Sequence, residues 1–207
     1  MKKLASFLTV AILAFGVLSF SGCGETSQQS KEETQTTVQT SDELLKDTSI
    51  KTLGALKNKN FGYLSTLAHP EKGVRFTPYA YIDTEKDVVL KASEIKNIKA
   101  DSRSFLWGSY DGSGEPMNLP FGEYFDKFVW DQDFSDAQMS AKNEFLSGGN
   151  STNNLKEVYP DAQYYEYYFS GFDPQYEGLD WVSLRLVFEE YNGAWYLVGI
   201  VHGQWTI

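Results

Sequence analysis

The sequence predicts an α+β domain, with N-terminal helices packed on a curved, mainly antiparallel sheet. Three observations predict it. Apolar residues recur at intervals of three and four from Leu44 to Leu67, the period of an amphipathic helix. Three long segments rich in β-branched and aromatic residues close the chain, the last two joined by Asn192-Gly193, a strong hairpin signal. Three consecutive long strands after an N-terminal helical part make an α+β domain.

The elements follow in order within a body at residues 42–207. Leu44, Leu45, Ile50, Leu53 and Leu56, then Phe61, Leu64 and Leu67, predict one long helix or two helices bent near Asn58–Asn60, ended by His69-Pro70. GVRFTPYAYI (73–82) reads as a strand, with Pro78 marking an edge or bulge. Ser93 is placed to cap a short helix, SEIKNI. RSFLWGSY (103–110) is a second strand, closed by the turn DGSGEP. In LPFGEYFDKFVW, Phe121, Tyr124, Phe125 and Phe128 share one helical face behind Pro120 in the first turn. LSGGNSTNNLKE (146–157) reads as a loop. AQYYEYYFSGF is a strand. In LDWVSLRLVFEEY, Val182, Leu184, Leu186 and Phe188 alternate with Ser183, Arg185, Val187 and Glu189. AWYLVGIVHGQW is apolar on both faces, which predicts a central strand.

Ahead of this body, Lys2 and Lys3 precede an apolar run over residues 4–20, then Ser21, Gly22 and Cys23. Charge, apolar run and small residues in that order predict an export signal over residues 1–22. Cys23 is the sole cysteine. Its place directly after small residues resembles the lipobox of bacterial lipoproteins, with Phe20 where that family prefers Leu. The resemblance implies lipid attachment at Cys23, cleavage just before it, and a chain held outside the cytoplasm on the bacterial membrane. Residues 24–41 then read GETSQQSKEETQTTVQTS, with Val38 the one aliphatic residue. Such a segment cannot bury enough apolar surface to offset its ordering entropy. Residues 23–41 are therefore expected to be a lipidated cysteine and a disordered linker, with a typical end-to-end distance of about 25 Å.

Helices first and long antiparallel strands last resembles the NTF2-like cone fold, in which a curved sheet wraps helices around a pocket; a cystatin-like arrangement fits the same order. WGSYDGSGEP, FGEYFDKFVWDQDF and LDWVSLRLVFEEYNGAWYLVGIVHGQWTI are also similar to an uncharacterised lipoprotein domain of bacteria. That similarity spans most of residues 60–207 and implies no particular activity.

The chain carries a formal charge of −10. An acidic body repels nucleic acid, so nucleic-acid binding is not expected. With Cys23 acylated, no thiol is left for an intrachain disulfide, a cysteine nucleophile or a thiolate metal site. Asp131, Asp133 and Asp136 in WDQDFSD resemble a calcium loop, but counting from Asp131 the sixth place is Asp136 rather than Gly, and the twelfth is Lys142 rather than Glu. His69 and His202 are the only histidines and stand far apart, so no zinc site and no cofactor is expected.

No G-x-S-x-G elbow is present. His202, at the end of an apolar strand, either bonds a nearby carbonyl or, by the cone resemblance, faces a pocket and moves protons with Asp83 and Arg185. Arg75, between Val74 and Phe76, is a polar handle for a binding cleft or the partner of an acidic neighbour. Tyr79 and Trp107 complete the candidate ligand contacts. The favoured expectation is a non-enzymatic, surface-tethered binding or interaction module for a small ligand or another envelope protein. The alternative is a small cone-fold enzyme of isomerase, lyase or hydrolase type using His202 and Asp83.

Overall fold

The computed structural model describes residues 39–148 and 152–206; the expected export signal, Cys23 and most of the expected linker lie outside them. Helix α1 spans Ser41–Lys57, one residue earlier than the body was expected to begin. Thr40 sets its start. The Glu43 amide donates to Thr40 Oγ1 (3.3 Å) and the Thr40 amide to Glu43 Oε2 (2.8 Å), a reciprocal cap. The bend after Lys57 is real, with α2 at Phe61–Leu67 capped by Asn60. The buried stripe of α1 differs from the apolar reading. Leu44 and Ile50 face solvent, while Leu45, Ser49, Thr52, Leu53 and Leu56 face inward. Ser49 is tolerated there because its hydroxyl bonds the Tyr167 hydroxyl at 2.8 Å.

The remaining elements are β1 (Val74–Thr77), β2 (Val88–Leu90), α3 (Ala92–Asn97), β3 (Ser104–Ser109), β4 (Pro116–Pro120), α4 (Phe121–Phe128), β5 (Met139–Lys142), α5 (Leu155–Val158), β6 (Gln163–Phe169), β7 (Val182–Tyr191) and β8 (Ala194–Gln204). Six strands form one sheet in the order β2-β1-β8-β7-β6-β5; β3 and β4 form a separate hairpin. Every pairing in the large sheet is antiparallel except β1 with β8. The fold is α+β, helices against a mainly antiparallel sheet, as the sequence predicts, and β8 is indeed an interior strand.

Four local expectations change. Strand β1 stops at Thr77, so Pro78 ends a strand that lies between two others rather than at an edge. Lys91, not Ser93, occupies the cap position of α3, with its amide held by Glu94 Oε2 at 2.9 Å. Residues 146–157, read as a loop, include the start of α5. The short strands β2, β4 and β5 carry too little periodicity to stand out, and pairing with longer neighbours stabilises them.

The sheet has two unlike faces. On the inner face, Phe76, Leu184, Leu186, Phe188 and Ile200 meet α1, α2, α4 and the β3–β4 hairpin in one large apolar cluster. Phe121, Tyr124, Phe125 and Phe128 of α4 are all buried in it, as their spacing predicts. The outer face carries a smaller cluster of Ile82, Leu155, Tyr164, Val187, Val198 and Val201. Asn154 ties the covering segment to the sheet end, accepting from the Ile82 amide (2.8 Å) and donating to the Ile82 carbonyl (2.9 Å).

Candidate functional site

The alternation of strands decides the fate of the predicted His202–Asp83–Arg185 group. His202 pairs with Leu184 across β7–β8, whereas Arg185 pairs with Val201. Successive side chains point to opposite faces, so His202 joins the inner face and Arg185 the outer one. His202 is fully buried, edge-on to the Phe128 ring at 5.8 Å. Its Nδ1 lies 3.3 Å from the Pro78 carbonyl and its Nε2 3.2 Å from Asp131 Oδ2. Each ring nitrogen meets an oxygen atom, one from the backbone and one from a side chain. The histidine's acidic partner is thus Asp131, not Asp83. Asp83 instead accepts from the Glu85 and Lys86 amides, both at 3.1 Å, and pairs with the Lys86 ammonium. The Lys86 bond, with the two amides, holds its carboxyl below the usual carboxylate range.

Arg185 is 2 % exposed and forms a buried ion pair with Glu166, its cross-strand neighbour, at 3.1 Å. It also donates to the Ser147 hydroxyl, and its guanidinium carbon lies 4.8 Å from the centre of the Phe145 ring. Glu166 accepts in addition from the Leu146 amide at 2.7 Å. The pair fastens residues 145–147 onto the sheet. Mutual neutralisation and these bonds are what make two buried charges tolerable.

The predicted ligand contacts separate in the same way. Trp107 is buried, stacked on Tyr124 at 3.8 Å, and its indole N–H donates to the Leu119 carbonyl at 2.9 Å. It is a core residue, because the β3–β4 hairpin folds it inward and satisfies its single donor. Tyr79 packs on Phe128, and its hydroxyl accepts from the Asp111 amide at 3.0 Å, pinning the DGSGEP turn. Neither shares a site with Arg75, which lies on the outer face.

Arg75 alone opens onto a cleft. The space measures about 240 Å³ and is lined by Lys72, Arg75, Val89, Tyr159 and Val198. Arg75 sits opposite Val89 on β2 and Gly199 on β8. Its Nε donates to the Tyr159 hydroxyl (3.3 Å) and its Nη1 to the carbonyls of Asp83 and Thr84 (both 3.4 Å). No carboxylate lies within 4.0 Å of it among the described residues, so the expected alternative, an ion pair, does not form. Tyr159 lies against the sheet over Gly199, with ordinary contact distances there. A Cβ there would stand 3.4 Å from Val187 and 3.7 Å from the Tyr159 ring. The floor is made by a register shift between Val187 and Phe188, which leaves Val198 as an extra residue on β8 and turns it to the outer face.

Lys72 and Glu189 pair at the rim. Asp87 lies on the same sheet face, across from Thr77. Its carboxylate accepts from the Thr77 hydroxyl (2.8 Å) and the Asp83 amide (3.0 Å). Burial pushes its carboxyl up to about 6, against the opposing pull of those bonds and of Arg75.

Of this site the sequence showed only Arg75, through its alternation with Val74 and Phe76. Lys72, Asp87, Tyr159 and Val198 carry no local signal; the parallel pairing of β1 with β8 and the bulge assemble them. Among the described residues no group of three or more His, Cys, Asp or Glu could hold a metal ion, and no helix is long and apolar enough to cross a membrane.

No family model and no curated protein matches the sequence. Solved structures do. One is described as a calcium/calmodulin dependent protein kinase II association domain from Xanthomonas campestris, 11 % identical, covering 80 % of this chain and 89 % of that one with a TM-score of 0.35. Another, named Rd1NTF2_05 and bearing five substitutions, is 12 % identical and covers 76 % of this chain and 95 % of that one, with a TM-score of 0.33. The α+β assignment rests on the strand order and packing given above.

Proposed function

We propose that the chain is a lipid-anchored module of the bacterial envelope that binds rather than transforms its ligand, and that the outer-face cleft at Arg75 is where it binds. The observation that carries this reading is the cleft itself: a concave, partly apolar surface beside an oriented arginine with no carboxylate within 4.0 Å among the described residues. Recognition sites combine apolar lining with a few placed polar groups in this way. The leader pattern ending at Cys23 and the polar linker support the anchored placement. The catalytic alternative built on His202 and Asp83 is not carried forward. His202 is fully buried against Phe128 and bonded to Asp131, and Arg185 lies across the sheet from it.

Two measurements test the proposal. Cys23→Ser in the full chain should abolish lipid labelling and release the protein from the membrane fraction. A variant that stays with the envelope to the same extent would overturn the anchoring. For binding, backbone amide shifts across β1, β2, β8 and Tyr159 should respond to a fragment library of neutral and anionic small molecules. A cleft that responds to none of them would overturn the binding role.

A further inference from the structure

We infer that the Arg75 cleft is built for a small organic monoanion, a carboxylate carried on a short apolar or single-ring body. The inference rests on the binding reading above and adds the ligand's chemistry.

The first observation concerns the arginines. The chain has three, against 28 acidic residues. Arg103 bonds Asp101 at 2.5 Å and Arg185 bonds Glu166 at 3.1 Å. Arg75 alone has no carboxylate within 4.0 Å among the described residues. Its orientation is nevertheless fixed. Nε is held by the Tyr159 hydroxyl and Nη1 by two backbone carbonyls, and Nη2 has no partner among the described residues. An arginine already held by neutral acceptors loses little further freedom when it meets an oxyanion, and the resulting charge-assisted bond is among the stronger polar contacts.

The second observation is what lies beside it. Val89, 38 % exposed, offers apolar surface beside the Tyr159 ring, over a floor at Val198, which is itself buried. At about 240 Å³ the cleft is smaller than the roughly 300–1,000 Å³ typical of drug-sized ligands, which limits the occupant to a short chain or one ring.

The charged surroundings select among oxyanions. Arg75 and Lys72 are the cations at the cleft, and Glu189 already bonds Lys72. Asp83, paired with Lys86, and Asp87, bonded to Thr77, stand on the Arg75 side. A dianion such as a phosphate would meet this acidic rim with too few free donors. A carboxylate needs one well-placed partner and puts the rest of its body on Val89 and the Tyr159 ring.

The test titrates the detergent-solubilised full chain with isovalerate, benzoate and 3-phenylpropionate, each against the alcohol of the same skeleton, and with inorganic phosphate. Amide shifts of Arg75, Val89, Tyr159 and Val198 report occupancy. At least one acid is expected to saturate the cleft and to bind at least tenfold more tightly than its alcohol and than phosphate. Arg75→Gln should weaken the acid at least tenfold while leaving the alcohol unchanged. Lys72→Gln, at an exposed rim position that spares the core, should weaken it about threefold and keeps the test open should Arg75→Gln fold poorly. Acid and alcohol binding equally, phosphate binding as tightly as the acid, or acid affinity indifferent to both substitutions would overturn the ligand class and leave the binding role standing. Silence toward acids and alcohols alike would overturn both.

Discussion

The two faces of the large sheet use the same strands for different ends. The inner face is densely packed: α4, the β3–β4 hairpin and both N-terminal helices close over Phe76, Leu186 and Phe188, and His202 is buried there with an oxygen atom at each ring nitrogen. The outer face is only partly covered. It holds a buried ion pair at Arg185–Glu166, a covering segment tied down at Asn154, and an open cleft at Arg75. Candidate chemistry that lands on the first face becomes structure, because close packing leaves no room for a ligand. Chemistry on the second stays available only where the cover is missing, at Arg75. Neighbouring residues of one strand, such as Leu184 and Arg185, belong to these two regimes.

The largest expected effect breaks the comparison from the inner side. Trp107→Ala should cost about 3–5 kcal/mol in denaturant unfolding, since it empties a stacked core site. It should leave ligand affinity in the folded fraction unchanged. A weakened affinity would return Trp107 to the binding site. The next probes the covered part of the outer face. Glu166→Leu should cost about 3 kcal/mol, because Arg185 would be left buried and unpaired. Adding Arg185→Leu should restore most of that stability; if the double variant is no better than the single one, the pair is not the dominant tie of that face.

A smaller effect comes from Asp87 beside the cleft. Its folded-state carboxyl is raised by burial to about 6, above its ordinary value, so its contribution is fully present below about pH 4 and is lost as pH rises through about 6. A rise from 3.8 to about 6 corresponds to about 3 kcal/mol, and partial exposure to solvent reduces the observable part to about 1 kcal/mol. Asp87→Asn should therefore be more stable than the parent by that amount at pH 7 and equal to it near pH 4. A gap that does not close on acidification would show that charge is not the cause. Last, Tyr167→Phe removes the buried bond to Ser49 and should cost about 1 kcal/mol in the same unfolding measurement. No loss would mean that the inner face tolerates an unpaired serine.

Legibility followed locality. The α4 face, the Asn192-Gly193 hairpin and the interior place of β8 could be read because each depends on residues close in sequence. The stripe of α1 departs from the apolar spacing at Leu44 and Ile50, which face solvent, and takes in Ser49. Apolar spacing admits two neighbouring faces, and a distant hydroxyl, Tyr167, decides between them. The candidate site was legible only at Arg75. His202 was singled out for its polarity on an apolar strand, and that same apolar setting is what buries it. Its partner Asp131 lies 71 residues away in a segment that resembled a calcium loop.

The sequence by itself determined the class of fold, the alternation within each strand that sets Arg185 on the side opposite Leu184, and the acidic charge. These are properties of composition and short-range period, which the backbone geometry of helices and strands translates directly. Only the tertiary structure decided which face is sealed, which acid meets His202, and that Arg75 meets none. Those outcomes depend on the parallel pairing of β1 with β8, on the bulge that turns Val198 outward, and on Tyr159 lying across Gly199. They are contacts between residues far apart along the chain, and their formation is governed by the packing of the whole domain rather than by any segment of it.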